Sequence, residues 1–234
     1  MLIFAHRGAS KAAPENTLLA IRKALEMGVD AIEIDVHNIE DQVVVLHDRH
    51  VERTTNGKGR IQDISFAYLR TLDAGQGQRI PTLWEVMQCI AGKCTLNIEL
   101  KGITDIEPII ALVDTALLEL GFSIDQFLLS SFDHHILLAF KQRRPQWRIG
   151  AVSASCPLKY AQFAQQLNAY SVHLDIHTTN QKFVDDAHAR QLQVYVYTVD
   201  DLAEMDELQA MGVDGVFTNV PDIAINHLRS KSRS

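Results

Sequence analysis

Two carboxylates stand two residues apart within an apolar stretch of the sequence, IEIDV, which begins at Ile32. In a β-strand, this spacing places the side chains of Glu33 and Asp35 on the same side. Adjacent buried carboxylates repel each other and lose their hydration, so the pair needs a compensating cation or a shared proton. The pair therefore indicates a metal site, unless it forms a solvent-facing polar stripe on an edge strand.

Other reactive side chains lie at the ends of apolar runs. His6 and Arg7 end the first run, His47 ends the run QVVVL, and the run LNIELK carries Glu99 and Lys101. The third carboxylate completes a set of hard oxygen donors, which suits Mg²⁺ or Ca²⁺ better than Zn²⁺. The arginine and the lysine attract a phosphate or a carboxylate, and the histidines exchange protons near neutral pH. Together these groups are the parts that phosphodiester cleavage needs.

These residues need a scaffold that brings several strand ends to one place. Eight short apolar segments are predicted as strands: Leu2–His6, Ala31–Val36, Thr95–Lys101, Gln126–Ser130, Arg148–Val152, Ser171–Leu174, Gln193–Tyr197 and Gly215–Thr218. The segments between them have helical periodicity, including Glu15–Met27, Ile106–Leu120, Gln181–Gln191 and Leu202–Met211. This alternation predicts an α/β fold, a (β/α)8 TIM barrel, in which the carboxyl ends of the strands meet at one face. A doubly wound open sheet is less favoured because no G-x-G-x-x-G follows the first strand.

A long segment from Asp48 to Pro81 interrupts this alternation after the second strand. It exceeds the ~2–6 residues of an ordinary βα loop, so we expect a small insertion on the barrel rim that shapes the substrate pocket. We therefore predict one domain over residues 1–234, which ends in a polar tail from Ser230 to Ser234.

The composition fits this size and argues against several kinds of partner. The chain has 234 residues, of which 47% are hydrophobic and 22% charged, and its formal net charge is -7. This balance favours one domain with a full core and disfavours nucleic acid or an anionic membrane as a partner. The three cysteines have no metal-ligand spacing, and the N-terminus lacks the pattern of a signal peptide or a membrane span. We expect a cytoplasmic protein without a stable membrane anchor.

Seven motifs occur in order along nearly the whole chain: AHRGASKAAPENT, GVDAIEIDV, VVLHD, TTNGKG, IPTLWEV, NIELK and GVDGVFTNVPD. They resemble the successive motifs of the glycerophosphodiester phosphodiesterases of the cytosolic bacterial type. The resemblance implies a (β/α)8 barrel with a small insertion after the second strand, and a place in glycerol and lipid metabolism. The implied reaction is hydrolysis of a small-molecule glycerophosphodiester to sn-glycerol 3-phosphate and an alcohol, with one divalent cation, Mg²⁺ or Ca²⁺, as the cofactor.

The resemblance also implies a role for each reactive side chain. The matching residues are His6 and His47 for acid–base catalysis, Arg7 and Lys101 for the phosphate, and Glu33, Asp35 and Glu99 for the metal. One late motif differs, since Tyr197 stands where the family often has tryptophan. Both are flat aromatic side chains that pack against a glycerol moiety, so the difference concerns the shape of the pocket.

Two other functions compete with this reading. A catalytically silent barrel would bind a phosphorylated metabolite, and the loss of a histidine or a carboxylate would support it. A membrane-surface enzyme would cleave lysophospholipid head groups, and an apolar anchor would support it. The sequence shows neither feature. The preferred alcohol, the physiological metal, the histidine that acts as the acid and the oligomeric state stay open.

Three smaller features of the sequence can be explained without a second functional site. His173, Asp175 and His177 alternate in VHLDIH as metal ligands do, but the motifs assign the metal elsewhere, so we expect no second metal there. Lys11 is interpreted as a solvated loop lysine. Asn16 belongs to a predicted helix start and either has a structural role or faces the site.

Overall fold

The computed structural model describes residues 1–231, whose strands form a closed parallel barrel with one antiparallel strand attached outside it. The strands are β1 (Leu2–His6), β2 (Ala31–Ile39), β3 (Gln42–Val45), β4 (Thr95–Gly102), β5 (Phe127–Ser131), β6 (Arg148–Ser153), β7 (Ser171–Asp175), β8 (Gln193–Tyr197) and β9 (Gly215–Thr218). The barrel order is β1-β9-β8-β7-β6-β5-β4-β2, and β1 pairs with β2 to close the ring. The predicted (β/α)8 barrel is therefore confirmed.

Helices follow the barrel strands and pack on their outer side. They are α1 (Leu18–Met27), α2 (Phe66–Leu69), α3 (Leu83–Ile90), α4 (Glu107–Glu119), α5 (His134–Arg143), α6 (Gln162–Gln166), α7 (Gln181–Ala189), α8 (Leu202–Ala210) and α9 (Pro221–Lys231). None of the helices in residues 1–231 combines the length and the apolar character that a membrane-spanning helix needs. In the predicted polar tail, Ser230 belongs to α9, whereas residues 232–234 lie outside the described part of the chain.

The apolar run QVVVL forms a hairpin with β2. Strand β2 ends at Ile39 and not at the predicted Val36, because β3 pairs with it in antiparallel register, with Val36 opposite Val45. The N–H of Leu46 then donates to the carbonyl of Asp35 at 3.0 Å. This hairpin returns the chain to the barrel mouth, so the residues after β3 lie beside the strand ends.

Helix α1 begins later than predicted. It begins at Leu18 and not at Glu15, because Asn16 has a φ of 56°, in the left-handed region that ends a helical path. The side chain of Thr17 caps the helix by accepting the N–H of Ala20 at 3.3 Å. The two residues before the cap are therefore free to face the barrel mouth.

Period-two alternation divides the barrel interior into an apolar floor and a polar mouth. The floor consists of Phe4, Ala31, Leu128, Tyr195 and Phe217. Closer to the carboxyl ends, the same inward-facing rows carry polar groups, and the register places His6 beside Glu33 and Asp35 beside Glu99. The fold therefore projects the reactive side chains toward one face of the barrel.

The segment between β3 and β4 packs around a small apolar core of its own. That core consists of Ile39, Val44, Leu46, Val51, Ile61, Leu69, Leu72, Ala74 and Ile80. The Arg70 guanidinium donates to both carboxylate oxygens of Glu85 at 2.7 Å, which ties the segment to α3. This packing holds residues 47–53 in place at the barrel rim.

Candidate active site

A cavity of about 320 Å³ opens at the carboxyl ends of the barrel strands. Its lining residues are His6, Arg7, Glu33, His47, Glu99, Lys101, Phe132, Val152, His173, Asp175, Tyr197, Thr198 and Phe217. Seven of the eight residues predicted for the site line this cavity. The eighth, Asp35, is buried beside it, between Arg7 and Lys101. The structure therefore brings all eight predicted side chains together.

Glu33, Asp35 and Glu99 form the carboxylate centre of the cavity, with ligand oxygens that all lie within 4.8 Å of one another. Glu33 Oε1 is buried and has no hydrogen-bond partner among residues 1–231, whereas the buried Asp35 Oδ1 and Glu99 Oε1 face the Lys101 ammonium. The Lys101 ammonium forms an ion pair with Glu99 and lies 3.5 Å from Asp35 Oδ1, which offsets part of the charge. Buried carboxylate oxygens without donors favour a cation. Three carboxylate oxygens this close together fit a hard divalent ion such as Mg²⁺ or Ca²⁺.

The charges of the carboxylate centre also favour a divalent cation. Burial and the neighbouring Asp35 and Glu99 raise the pKa of Glu33 well above its usual range. Burial also opposes the ionisation of Asp35, but Lys101 and Arg7 lower its pKa overall. With all three carboxylates ionised, as a bound cation would keep them, the centre and its two cations carry one net negative charge, which a divalent cation would change to one positive charge. A phosphodiester monoanion would then bring the site to neutrality.

Arg7 is fixed among carboxylates by three contacts. Its backbone N–H donates to Glu33 at 2.9 Å, its Nη1 donates to Glu15 at 2.8 Å, and its Nε lies 3.3 Å from Asp35 Oδ2. The φ of Arg7 is 60°, a left-handed conformation that costs a non-glycine residue on the order of 1–3 kcal/mol. These contacts hold the residue in that conformation, so the guanidinium has a set position at the edge of the cavity.

The hydrogen bonds of His6 determine which ring nitrogen carries its proton. His6 Nδ1 lies 2.8 Å from Asn219 Oδ1, and the Asn219 amide nitrogen donates to Asp200 Oδ2 at 2.8 Å. Because Asp200 orients the amide, its oxygen faces the ring and can only accept. Neutral His6 therefore carries its proton on Nδ1 and has a lone pair on Nε2. Burial and the nearby Arg7 lower the pKa of His6 to about 4, so the ring is neutral at pH 7.

His47 has a different kind of partner. Its Nδ1 lies 2.6 Å from Asp48 Oδ1, and Arg53 donates to both oxygens of Asp48 at 2.5 and 3.1 Å. The hydrogen bonds from Arg53 are the main reason that the pKa of Asp48 falls to about 2. An ionised carboxylate can only accept, so Nδ1 of His47 carries a proton and donates it to Asp48. The two histidines are therefore held by a neutral amide in one case and by a carboxylate in the other.

Arg53 also joins the insertion to the first barrel strand. It donates to both oxygens of Glu15 at 2.9 and 2.7 Å, and Glu15 in turn accepts from Arg7. The carboxamide of Asn16 donates to Asp35 at 2.9 Å, so this residue faces the site. A continuous series of ion pairs therefore runs from the His47 side of the cavity to the carboxylate centre.

The remaining predicted positions lie on the walls of the cavity or outside it. The Tyr197 hydroxyl donates to the carbonyl of Ser153 at 3.2 Å. His173 lies in the barrel interior with Nε2 2.9 Å from Ser171 Oγ, and burial lowers its pKa to about 3. His177 and Lys11 are exposed. In residues 1–231, the carboxylate centre is the one group with the geometry of a metal site.

Comparison with known proteins agrees with this geometry. The model of the glycerophosphoryl diester phosphodiesterase family matches residues 6–223 of the chain. A glycerophosphodiester phosphodiesterase from Caldanaerobacter subterraneus is 36% identical over 238 residues, which cover 97% of this chain and 98% of that protein. The chain belongs to this family. The motif resemblance and the prediction of a phosphodiesterase are therefore confirmed.

Other members of the phosphodiesterase family match over similar lengths. A Bacillus altitudinis glycerophosphodiester phosphodiesterase is 31% identical and covers 95% of this chain and 96% of its own. An Oleispira antarctica phosphodiesterase, solved in complex with the product sn-glycerol-3-phosphate, is 30% identical with a TM-score of 0.89. The match covers 98% of this chain and 97% of the Oleispira chain.

Several residues that form hydrogen bonds with the predicted site residues, or with their partners, could not be predicted from the sequence. They are Glu15, Arg53, Asp200 and Asn219. Asp48 directly follows His47, which is a usable signal for an orienting carboxylate. Asn219 lies in the last motif, but its ring partner is 213 positions away in the sequence, so spacing gives no indication of the contact.

Proposed function

We propose that this family member hydrolyses glycerophosphodiesters to sn-glycerol 3-phosphate and an alcohol, with His6 and His47 as the acid–base pair. The observation that supports this most strongly is the placement of three buried carboxylates, two cations and two oriented histidines around one cavity. The product named in the Oleispira structure is consistent with the same reaction. A small-molecule substrate fits a cavity of this size.

Glu33, Asp35 and Glu99 would hold the divalent cation, Mg²⁺ or Ca²⁺. A cation bound there supplies Lewis-acid stabilisation of the negative charge that develops on the substrate oxygens. Arg7 and Lys101 bind the phosphate, since both face the cavity with fixed positive charge. Neither cation requires reorganisation when the substrate binds, because carboxylates already hold both.

Tyr197 is proposed to contact the glycerol moiety. Its hydroxyl donates a hydrogen bond to the Ser153 carbonyl, so the face of the ring is the part that can pack against a substrate. The ring lies edge-on to Phe132, with centroids 6.1 Å apart, on the same side of the cavity. An aromatic wall of this kind excludes water from the reacting bond.

The hydrogen-bond partners favour His6 as the base and His47 as the acid of the first step. His6 is neutral with a lone pair on Nε2, which is the form that accepts a proton. The Asp48 carboxylate accepts from Nδ1 of His47, which orients Nε2 to give a proton to the leaving group. His6 takes the proton of the attacking oxygen as the new P–O bond forms. His47 gives a proton to the alcohol oxygen as the old P–O bond breaks.

Water and the 2-hydroxyl of the substrate both fit this scheme as the attacking group. Attack by the 2-hydroxyl gives a cyclic phosphate that a water molecule then opens, with the histidines exchanging roles. Both routes need the same two proton transfers.

The cytoplasmic location and the single domain over residues 1–234 remain predictions of the sequence.

A product assay tests this function against a catalytically silent barrel. The purified chain, supplied with Mg²⁺ or Ca²⁺, should convert glycerophosphocholine to sn-glycerol 3-phosphate and choline, detected by ³¹P NMR. If sn-glycerol 3-phosphate binds but no glycerophosphodiester is cleaved with either metal, the silent barrel is correct and the proposed hydrolysis is wrong.

A further inference from the structure

A second cavity of about 660 Å³ adjoins the first at the barrel rim. The two cavities share His47, Lys101 and Phe132. The other residues that line the second cavity are His37, Asp48, Arg49, His50, Leu100, Ser131 and Asp133. It therefore lies between the end of β4, the loop after β5 and the beginning of the insertion.

The shared wall indicates how a phosphodiester would lie. The phosphorus must be close to the acid histidine and to a phosphate-binding cation, and His47 and Lys101 form the boundary between the cavities. One arm of the diester then enters each cavity. The glycerol arm fits the smaller cavity, which contains the carboxylate centre. The alcohol arm extends into the larger one, where His47 can protonate it as it leaves.

A third cavity, on the opposite side of the site, is a poorer place for the alcohol. It has a volume of about 290 Å³ and is lined by His6, Arg7, Ser10, Lys11, Glu15 and Asn219. His47 does not border it, so an alcohol there would be remote from the proposed acid. Its exposed Lys11 nevertheless provides a matched control for charge.

Most of the groups in the second cavity that would recognise an ammonium ion are already engaged. Both oxygens of Asp48 accept from His47 and Arg53. Asp133 caps α5 by accepting two backbone N–H groups at Oδ1, and the helix N-terminus offsets part of its negative charge. The Phe132 ring already has the Lys101 ammonium 5.5 Å from its centroid, and that charge repels a second cation.

Arg49 is the charged group of this cavity that has no partner. Arg49 lines the cavity, and its guanidinium makes no hydrogen bond or ion pair with any residue in the described range 1–231. A guanidinium offers five N–H donors in a planar fork, which matches phosphate and hydroxyl oxygens. Arg49 therefore offers this cavity unused N–H donors that can bind oxygen acceptors of a ligand.

We propose, resting on the hydrolysis proposed above, that the second cavity binds the departing alcohol and that Arg49 selects polyol head groups. The hydroxyl or phosphate oxygens of a polyol accept hydrogen bonds from the guanidinium. A quaternary ammonium accepts none and is repelled by its charge.

The test compares kcat/KM for glycerophosphoinositol and glycerophosphocholine. The wild type should prefer glycerophosphoinositol, and Arg49→Glu should shift the ratio toward glycerophosphocholine by about threefold to tenfold, the value of one or two hydrogen bonds. Arg49→Gln keeps some donors, so it should shift the ratio in the same direction by less. Both substitutions are on an exposed side chain, and an unchanged melting temperature confirms that each variant is folded.

Lys11→Glu makes the same charge reversal at the third cavity and should leave the ratio as it is in the wild type. The proposal is overturned if Arg49→Glu leaves the ratio unchanged, or if Lys11→Glu shifts it equally, because a general field effect would then be responsible. If Arg49→Glu hydrolyses both substrates with the same kcat/KM ratio as the wild type, the head-group site is contradicted but the proposed hydrolysis is not. Absence of hydrolysis of either substrate by the wild type contradicts the proposed function, and the head-group site with it.

Discussion

At the scale of single residues, the site depends on how each histidine ring is oriented. His6 and His47 both have Nδ1 held by a partner, which leaves Nε2 as the reactive nitrogen. The partners differ in charge, since one is the amide of Asn219 and the other is the carboxylate of Asp48. This difference is the basis for the proposed roles of His6 as the base and His47 as the acid.

The first prediction separates these roles with a substrate that has a good leaving group. His6→Gln and His47→Gln should each lower the rate on glycerophosphocholine by roughly 10²–10⁴, as loss of an acid or a base does. A p-nitrophenyl ester needs little protonation of its leaving group, so it should restore much of the rate of His47→Gln and little of that of His6→Gln. The opposite pattern of rescue would exchange the two roles.

The second prediction concerns Asn219. Asn219→Ala should lower kcat by roughly 10–100-fold with little change in KM, because His6 loses the partner that fixes its tautomer. The ring ¹⁵N shifts of His6 should then show a mixture of tautomers. Ser10→Ala is the control, since Ser10 contacts the same amide oxygen but not the ring. A normal kcat with a mixed tautomer would show that this orientation has no catalytic importance.

At the scale of secondary-structure elements, the insertion is connected to the barrel mouth through charges. Arg53 contributes to this connection by holding Asp48 and Glu15 together. Arg70 anchors the other end of the insertion to Glu85. These two arginines make similar ion pairs, but only the pair at Arg53 is in contact with a proposed catalytic side chain.

The third prediction compares these two arginines. Arg53→Gln should lower kcat/KM by about tenfold or more, because His47 loses the fixed position of its carboxylate partner. It should change the free energy of unfolding by less than about 1 kcal/mol, as expected for an exposed ion pair. Arg70→Gln should leave kcat/KM near the wild-type value. Equal activity of the two variants would remove Asp48 and Arg53 from the mechanism.

The sequence predicted the elements well because alternation and strand-end chemistry are local signals. The placement of Glu33, Asp35 and Glu99 follows from period-two geometry once the barrel is assumed. The hairpin of β3 on β2 was not predicted, because an apolar run has no periodicity that separates a continued strand from a reversed one. The contact between Asn219 and His6 could not be predicted, since it depends on closure of the barrel between its first and last strands.

At the scale of the whole molecule, burial of neutral histidines makes stability depend on pH. The pKa of His6 falls to about 4 and that of His173 to about 3, mainly through burial. The unfolded chain has ordinary histidines, so between about pH 6.5 and these values it binds more protons than the folded chain. The stabilisation is therefore fully present above pH 6.5 and is lost as the pH falls.

The fourth prediction measures this dependence. The free energy of unfolding should fall as the pH is lowered from 7 to 5, with each buried histidine contributing up to about 1.4 kcal/mol per pH unit. His173→Gln should reduce the slope by up to that amount, as measured by urea denaturation. His135→Gln removes an exposed histidine and should leave the slope unchanged. An unaltered slope in His173→Gln would contradict the burial of a neutral ring.

The metal dependence of hydrolysis is the central claim, and the rate on glycerophosphocholine after exhaustive treatment with EDTA tests it most directly. We predict that chelation abolishes hydrolysis and that Mg²⁺ or Ca²⁺ restores it in the same preparation. Glu33→Gln should stay folded, because the site lies at the mouth of the barrel, but should need far more metal for any recovery. Full activity in metal-free enzyme would contradict the assignment of a cation to Glu33, Asp35 and Glu99.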